Sequence, residues 1–155
     1  MAEDKKKKPG LVDDSLQGLT FKVIGLAMAV HNDLGPGHRE RTYHNAMSQR
    51  FADAGMEARS EPRIPILDEN GNMVNFYEPD HQVTVELLAE YKAHGWSLTN
   101  DEIAQCIDYF AGTEAKVILL LNFGRPRLEW KRLFPPNHIR EQRRKRWSRK
   151  RDSDA

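Results

Sequence analysis

The chain has 155 residues, of which 30% are charged, a formal net charge of +1 and a single cysteine. This length suits one globular domain, which buries about two-thirds of the surface of its unfolded chain. The lone Cys106 excludes an internal disulfide, and no apolar run is as long as a membrane span, so a cytoplasmic protein without membrane contact is expected.

The charges are unevenly distributed along the chain. Residues 140–151 contain eight Lys or Arg and one Glu, and residues 5–8 are all lysine. Residues 11–135, between these blocks, contain 12 basic and 18 acidic residues. Blocks of like charge are usually disordered and often act as interaction arms. The sequence therefore predicts a flexible lead-in over residues 1–18 and a basic, disordered tail over residues 136–155.

Two helices are predicted in the first third of the chain. Apolar residues at helical spacing indicate one helix over about residues 19–34, and the glycines of Gly35-Pro36-Gly37 end it. A second helix is predicted over residues 38–54, again from the helical spacing of its apolar residues. Its predicted inward face carries Tyr43, Met47, Phe51 and Ala54.

The hydrophobic period then changes to that of strands. Asn70-Gly71 marks a hairpin turn, and Pro62 makes the strand before it an edge strand or an irregular one. A capping box of Thr99 and Glu102 starts a third helix, which ends at Gly112. The predicted elements are strands over 58–67, 73–85 and 87–93, a helix over 99–111, and strands over 116–121 and 127–134.

The order of these elements, α-α-β-β-β-α-β-β, predicts a single domain over residues 19–135. Residues 116–121 (KVILLL) are almost continuously apolar, which indicates a strand buried on both of its faces. We therefore expect a mixed central sheet flanked by helices, of the α/β or α+β class.

Three charged residues lie on the predicted strands, where a charge is costly unless it has a partner. Residues two apart on a strand share a face, so Glu90 and Lys92 point the same way, and a short hairpin would bring Asp80 beside Glu90. Two close carboxylates repel each other unless a cation lies between them, and such oxygen ligands suit Mg²⁺ or Mn²⁺. Lys92 would then stabilise charge on a phosphate or help orient a water, so the set suits phosphodiester hydrolysis.

A simpler interpretation of the same residues is an ion pair on an exposed strand. Glu90 and Lys92 would then contribute roughly 0–1 kcal/mol to stability and have no catalytic role. Glu-x-Lys triplets are common, and an Asp some ten residues upstream is common too. Taken alone, the triplet favours this simpler interpretation.

Two further residues are candidates for the same site. Glu40 continues the helical spacing of the buried face of the second helix, so it either interacts favourably with the helix dipole or faces the cation site. Gln105 lies at the margin of the apolar face of the third helix, either exposed or hydrogen-bonded to a water or phosphate above the metal. His44 is interpreted as a surface residue or one beside the site, because a zinc site needs three or four ligands and no others are evident.

The basic tail is a candidate nucleic-acid interface. Lys and Arg bind phosphates by releasing counterions, and a tryptophan within the basic run can stack on an unpaired base. The alternative is a solvated tail without a partner. The predicted nucleic-acid-binding residues are Arg143, Arg144, Lys145, Arg146, Trp147 and Arg149.

These motifs together resemble a known protein family. Gly37-x-x-Glu40-x-x-Tyr43 is similar to the motif of the GxxExxY proteins, which are part of the PD-(D/E)xK nuclease-like superfamily. Pro79-Asp80 followed by Glu90-Tyr91-Lys92 resembles the PD and ExK elements of that superfamily. Ala104-Gln105 is similar to the family's helix with its glutamine. The resemblance covers about residues 19–134.

The resemblance implies a restriction-endonuclease-like fold and a divalent-metal site. It implies that Asp80 and Glu90, together with the backbone carbonyl of Tyr91, hold Mg²⁺ and that Lys92 is catalytic. Glu40 would be the acid of the first helix of the superfamily. The leading hypothesis is therefore a Mg²⁺-dependent nuclease acting on DNA or RNA. The alternatives are a non-cleaving nucleic-acid-binding module that uses the basic tail, and a protein-interaction or regulatory subunit.

Overall fold

The computed structural model describes residues 14–153, so most of the predicted lead-in and its lysine block lie outside the described residues. The helices are α1 (Asp14–Leu34), α2 (Glu40–Asp53), α3 (Asn100–Asp108), which a 3₁₀ turn (Tyr109–Gly112) follows, and α4 (Asn137–Ser153). The strands are β1 (Arg59–Ser60), β2 (Ile64–Leu67), β3 (Met73–Tyr77), β4 (His81–Thr84), β5 (Leu87–Lys92), β6 (Val117–Asn122) and β7 (Glu129–Leu133).

Five of the strands form one mixed sheet in the order β1-β4-β5-β6-β7. Strands β5 and β6 are parallel, and the other neighbouring pairs are antiparallel. The other two strands, β2 and β3, form a separate hairpin. The expected mixed sheet flanked by helices is confirmed, and the architecture is consistent with a restriction-endonuclease-like fold.

The main sheet separates two buried clusters of side chains. Alternate residues of a strand point to opposite faces, so Tyr91 and Leu119 pack with the residues of α1 and α2. Leu88 and Leu120 pack on the other face, with residues of α3 and the start of α4. All six residues of β6 are buried, as expected for a strand that is covered on both faces. Odd-numbered residues of β5 therefore face α1 and α2, and even-numbered ones face α3.

The connection between α1 and α2 is closed by a tyrosine. Gly35 and Gly37 have φ of +68° and +106°, a region that glycine enters without the steric cost of a Cβ. The buried Tyr43 donates a hydrogen bond from its hydroxyl to the carbonyl of Gly35 (2.6 Å) and accepts one from the N–H of His38 (3.2 Å). These contacts determine where α2 begins relative to α1.

Two of the predicted strands are each divided in the structure. Segment 58–67 forms β1 and β2, and segment 73–85 forms β3 and β4. A proline lies in each interruption, Pro62 in the first and Pro79 in the second. Because proline cannot donate to a strand ladder, the main sheet and the small hairpin separate at these points.

The C-terminal basic segment, for which disorder is predicted, is instead helical over Asn137–Ser153. A half-buried arginine side chain attaches this helix to the domain. The guanidinium of Arg143 donates hydrogen bonds of 2.7–2.8 Å to the carbonyls of Phe110, Thr113 and Ala115. Burial lowers the pKa of Arg143, but these acceptors compensate for much of the lost hydration. Composition alone does not reveal this contact, since its acceptors are backbone atoms.

The helices and the single cysteine were also the subject of sequence predictions. Within residues 14–153, no helix is long and apolar enough to cross a membrane. Cys106 is a buried free cysteine, and burial raises the pKa of its thiol to about 12, so it is poorly reactive. The cytoplasmic location stays a prediction.

Candidate active site

The hairpin of β4 and β5 brings Asp80 beside Glu90. His81 is opposite Ala89 in the register of the two strands, which puts the preceding Asp80 next to Glu90. The backbone N–H of Asp80 donates to Oε1 of Glu90 (3.0 Å), and the hydroxyl of Tyr77 donates to the same oxygen (3.1 Å). Both of these hydrogen bonds go to Oε1, which leaves Oε2 for another ligand.

The carboxylate of Asp80 is held by two donors. The backbone N–H of Tyr91 donates to Oδ2 (2.8 Å), and Nδ1 of His44 donates to Oδ1 (2.9 Å). Because a carboxylate only accepts, the proton of this second bond lies on His44 Nδ1. The hydroxyl of Ser60 then donates to His44 Nε2 (2.7 Å). Asp80 is therefore fixed from both strand β5 and helix α2.

Glu90 is an acid in an unfavourable environment. Burial, and next the charge of Asp80, raise the pKa of Glu90 to about 8. The hydrogen bonds that it accepts and the nearby charge of Lys92 act in the opposite direction without compensating fully. A bound cation would favour the ionised form of such a carboxyl group.

The backbone carbonyl of Tyr91 points toward Asp80. In a strand, the N–H and C=O of one residue lie on the same side, and successive residues alternate between the two neighbouring strands. The N–H of Tyr91 reaches Asp80, whereas the carbonyl of Lys92 accepts from Phe123, which follows β6 (2.9 Å). The carbonyl of Tyr91 therefore lies on the β4 side, as its predicted role as a metal ligand requires.

Lys92 shares the face of the sheet that Glu90 occupies. Both side chains are half-buried beneath α3, and the charge of Lys92 lowers the pKa of Glu90. Cys106 of α3 packs on this same face of the sheet, in the cluster that contains Leu88 and Leu120. The structure thus brings together the three charged residues that the sequence singles out.

Gln105 lies at the edge of this arrangement. Its side chain is exposed on α3 and forms a hydrogen bond with the hydroxyl of Tyr109. Burial, and next the charge of Glu90, raise the pKa of that hydroxyl. Tyr109 stacks on Tyr77, which in turn donates to Glu90. Tyr109 and Tyr77 thus connect Gln105 to Glu90, and the role of Gln105 in catalysis stays a prediction.

The expected burial of Glu40 is wrong. Glu40 is the first residue of α2 and its side chain is exposed, because the helix is buried only from Tyr43 onward. Residues four apart lie on one side of a helix, and His44, four residues later, contacts Asp80. Glu40 therefore lies on the same side of α2 as the residue that contacts Asp80, but one helical turn earlier, where the helix is exposed. Its role as an assisting acid stays a prediction.

His44 lies beside the site, which is one of the two positions that the sequence interpretation left open, and it is buried rather than on the surface. Its side chain is 3% exposed, and it stacks on His81 with ring centroids 4.4 Å apart. Burial, and next the proximity of His44, lower the pKa of His81 to about 3, so that ring stays neutral. The signal available in the sequence was the i, i+3, i+7 spacing of His44, Met47 and Phe51.

The basic helix α4 lies near the other end of the sheet. Strand β7 ends at Leu133, which is opposite Ile118 and so near the start of β5, roughly 13 Å from Lys92 along the strand. Arg143 is not free to bind nucleic acid, because its guanidinium is engaged with backbone carbonyls. The predicted nucleic-acid contacts that are exposed are Arg144, Lys145, Arg146 and Arg149, and the side chain of Trp147 lies outside what the structure describes.

Comparison with known proteins gives one match. A family model described as the PD-(D/E)XK nuclease superfamily matches residues 17–133. No curated protein and no solved structure matches the chain. The matched segment starts in α1 and ends at the last residue of β7, so it contains all seven strands and every candidate of the carboxylate site.

Proposed function

The chain belongs to the PD-(D/E)XK nuclease superfamily, and we propose that it is a Mg²⁺- or Mn²⁺-dependent phosphodiesterase acting on DNA or RNA. The observation that carries this proposal is the pairing of Asp80 with Glu90 beside Lys92 at one end of the sheet. Membership of the superfamily implies nuclease activity in general terms. The metal, the substrate and the narrower resemblance to the GxxExxY proteins are the proposed parts.

The donor set fits a hard divalent cation. Asp80 and Glu90 supply two carboxylates, and the carbonyl of Tyr91 lies on the same side as Asp80. Within residues 14–153, no group of three or more His, Cys, Asp or Glu is arranged to hold a metal, which disfavours a structural zinc site. Mg²⁺ needs no such cage, since it is usually held by one or two carboxylates and keeps several waters.

Each residue of the site then has a distinct task. Asp80 and Glu90 would hold the metal, which supplies Lewis-acid polarisation of a phosphate oxygen and a lowered pKa for bound water. Lys92 carries a positive charge beside them, where it stabilises the extra negative charge that a phosphate acquires in the transition state. The half-buried position of Lys92 strengthens this effect, because screening by water is weaker there.

His44 has a positioning task in this proposal. It donates to Oδ1 of Asp80 while the backbone of Tyr91 holds Oδ2, so both oxygens have a defined direction. Ser60 donates to the other ring nitrogen, which fixes the tautomer that His44 needs as a donor. Such supporting contacts commonly orient the groups that bind metals.

The proposal is tested by metal binding and cleavage in the same variants. We expect Mn²⁺ to raise the melting temperature of the wild-type protein by several degrees, because a ligand stabilises the state that binds it. We expect wild-type protein to cleave labelled DNA or RNA only with Mg²⁺ or Mn²⁺ present. Asp80→Asn is expected to abolish the thermal shift and to lower cleavage at least about 100-fold, since several kcal/mol of transition-state stabilisation is lost.

Asp101→Asn is the matched control, because Asp101 is an exposed carboxylate in the first turn of α3. It should keep both the thermal shift and the cleavage of the wild-type protein. Cleavage of equal rate in the wild-type and Asp80→Asn proteins would show a contaminating nuclease and remove the proposal. A thermal shift that persists in Asp80→Asn would show that the metal binds elsewhere.

A second candidate function is nucleic-acid binding without cleavage. The observation that favours it is the row of exposed basic residues on α4, which lies away from the carboxylates. Salt-sensitive binding by the wild-type protein, without metal-dependent cleavage of any substrate, would support this alternative over the phosphodiesterase.

The contribution of α4 can be measured without disturbing its attachment. We expect replacement of Arg144, Lys145, Arg146 and Arg149 by glutamine, with Arg143 retained, to weaken nucleic-acid binding. Each lost phosphate contact should reduce the slope of log affinity against log salt by up to about 0.9 for duplex DNA. Binding measured by fluorescence anisotropy between 50 and 200 mM salt, roughly the range in which such contacts are sensitive, checks this result. An unchanged slope would show that α4 does not contact phosphates.

A further inference from the structure

An exposed tryptophan stands beside the end of strand β5. The side chain of Trp96 is 63% exposed, which is unusual for the largest apolar side chain. One face of its indole is covered by the ring of His94, with centroids 4.4 Å apart and planes within 3° of parallel. The rest of the ring faces solvent.

Hydrogen bonds hold this exposed ring in place. The carbonyl of Trp96 accepts from Nδ1 of His94 (2.8 Å) and from Nδ2 of Asn122 (3.0 Å). Nε2 of His94 lies 2.8 Å from the carboxylate of Glu102 on α3. The same Glu102 completes the capping box of α3, so Trp96 is tied to a regular element rather than to a free loop.

Trp96 lies at the catalytic end of the sheet. Asn122, which holds its carbonyl, is directly opposite Lys92 in the register of β5 and β6. Glu102, which contacts His94, belongs to α3, the helix that covers the face of the sheet on which Glu90 and Lys92 lie. The indole therefore follows the proposed catalytic lysine by four residues and is linked through His94 to the helix that covers Lys92.

An arginine contacts the residue that follows Trp96. The guanidinium of Arg125 donates to the hydroxyl of Ser97, the residue that follows Trp96. The carbonyl of Arg125 accepts from Nε2 of His31 (2.8 Å), which fixes its backbone. An aromatic face beside an arginine matches the base and the phosphate of one nucleotide.

We propose that Trp96 is a stacking platform for an unpaired base next to the scissile phosphate, with Arg125 binding the flanking phosphate. Bases within a duplex stack on each other and offer no free face, so this platform selects single-stranded DNA or RNA, or an unpaired end. The proposal rests on the proposed nuclease function and names its substrate class. A free aromatic face accepts any base, so little sequence preference is expected.

The test compares single-stranded and duplex oligonucleotides of one sequence. Binding is measured by fluorescence anisotropy in the presence of a chelator, so that nothing is cleaved. Stacking on one base is worth about 1–3 kcal/mol, so Trp96→Ala should weaken binding of the single strand roughly 5- to 150-fold. Trp96→Phe should retain most of the affinity, and duplex binding should change less than about twofold in both variants.

Trp130→Ala is the matched control. Trp130 is also exposed, but it lies on β7 opposite Leu121 and therefore on the other face of the sheet. It should bind the single strand as the wild-type protein does. Equal affinity of Trp96→Ala and wild type for the single strand, or an equal loss for the duplex, overturns the stacking proposal alone. If the wild-type protein binds neither oligonucleotide at low salt, the proposed nuclease function is rejected with it.

Discussion

Replacing Lys92 by methionine is expected to slow metal-dependent cleavage about 100- to 1,000-fold while Mn²⁺ still binds. Methionine has a similar length and fills the half-buried space, but it carries no charge. The variant therefore removes the charge beside Glu90 that would stabilise the phosphate in the transition state. Because Lys92 is not a ligand of the metal, its loss should affect the rate and leave the metal-induced thermal shift in place.

The measurement is single-turnover cleavage at saturating protein, together with a Mn²⁺ titration of the melting temperature. Lys131→Met is the matched control, because Lys131 is opposite Leu120, which is opposite Glu90. Lys131 thus occupies the same face of the sheet, roughly 10 Å from Glu90 across two strand spacings. A Lys92→Met protein that cleaves at the wild-type rate would show that its charge does not act in the transition state.

The proximity of Asp80 and Glu90 could be predicted from the sequence because it depends only on the geometry of two consecutive strands. Residues alternate between the faces of a strand, and a short connection makes consecutive strands antiparallel neighbours. Both rules hold for β4 and β5, so the predicted neighbourhood of the two carboxylates agrees with the structure. The division of the earlier strands at Pro62 and Pro79 was harder to predict, since proline marks an interruption without saying which sheet follows it.

Helical spacing gave the wrong environment for Glu40, and it did not identify the partner of His44. The spacing of apolar residues identifies the buried side of a helix, but it does not say at which turn the helix leaves the core. Glu40 precedes the first covered turn and is exposed, whereas His44 follows it and is buried. The partner of His44 is Asp80, 36 residues away, and periodicity contains no information on such a contact.

The order of α4 was missed for a related reason. Its composition is that of a disordered, charged tail, because no apolar stripe runs along it. Its attachment uses one buried apolar residue, Ile139, together with Arg143, whose acceptors are three carbonyls around the 3₁₀ turn and the start of β6. Those carbonyls point to one place only after the domain has folded, so the contact has no signature in the sequence of the tail.

The second large effect is expected from Gly124→Ala, which should lower the free energy of unfolding by about 3 kcal/mol or more. A Cβ at Gly124 would lie 2.4 Å from the N of His94 and 2.5 Å from the C of Ala93. Both of these are backbone atoms, which cannot rotate away as a flexible side chain can. The segment after β5 must therefore shift, or the loop after β6 must.

The clash in Gly124→Ala would displace Ala93 and His94, which lie between Lys92 and Trp96. The N–H groups of His94 and Gly124 both donate to Oδ1 of Asn122, so the close approach of the two segments is part of one hydrogen-bonded unit. A displacement there should reduce cleavage as well as stability, and it should weaken single-strand binding through Trp96. Thermal unfolding is expected to show a drop of about 6–12 °C, at 2–4 °C per kcal/mol for a domain of this size.

Gly95→Ala is the matched control. It shows whether the effect of Gly124→Ala comes from the close contact with Ala93 and His94 or from the loss of any glycine in this region. Gly95 lies in the same connection, one residue before Trp96, and no atom lies within 4 Å of the position that its Cβ would take. Its replacement should change the melting temperature by less than about 2 °C, since substitutions away from special contacts usually cost under 0.5 kcal/mol. If the two variants unfold at the same temperature, the segments after β5 and β6 are not in the close contact described. The position of Trp96 near Lys92, which depends on that contact, would then also be wrong.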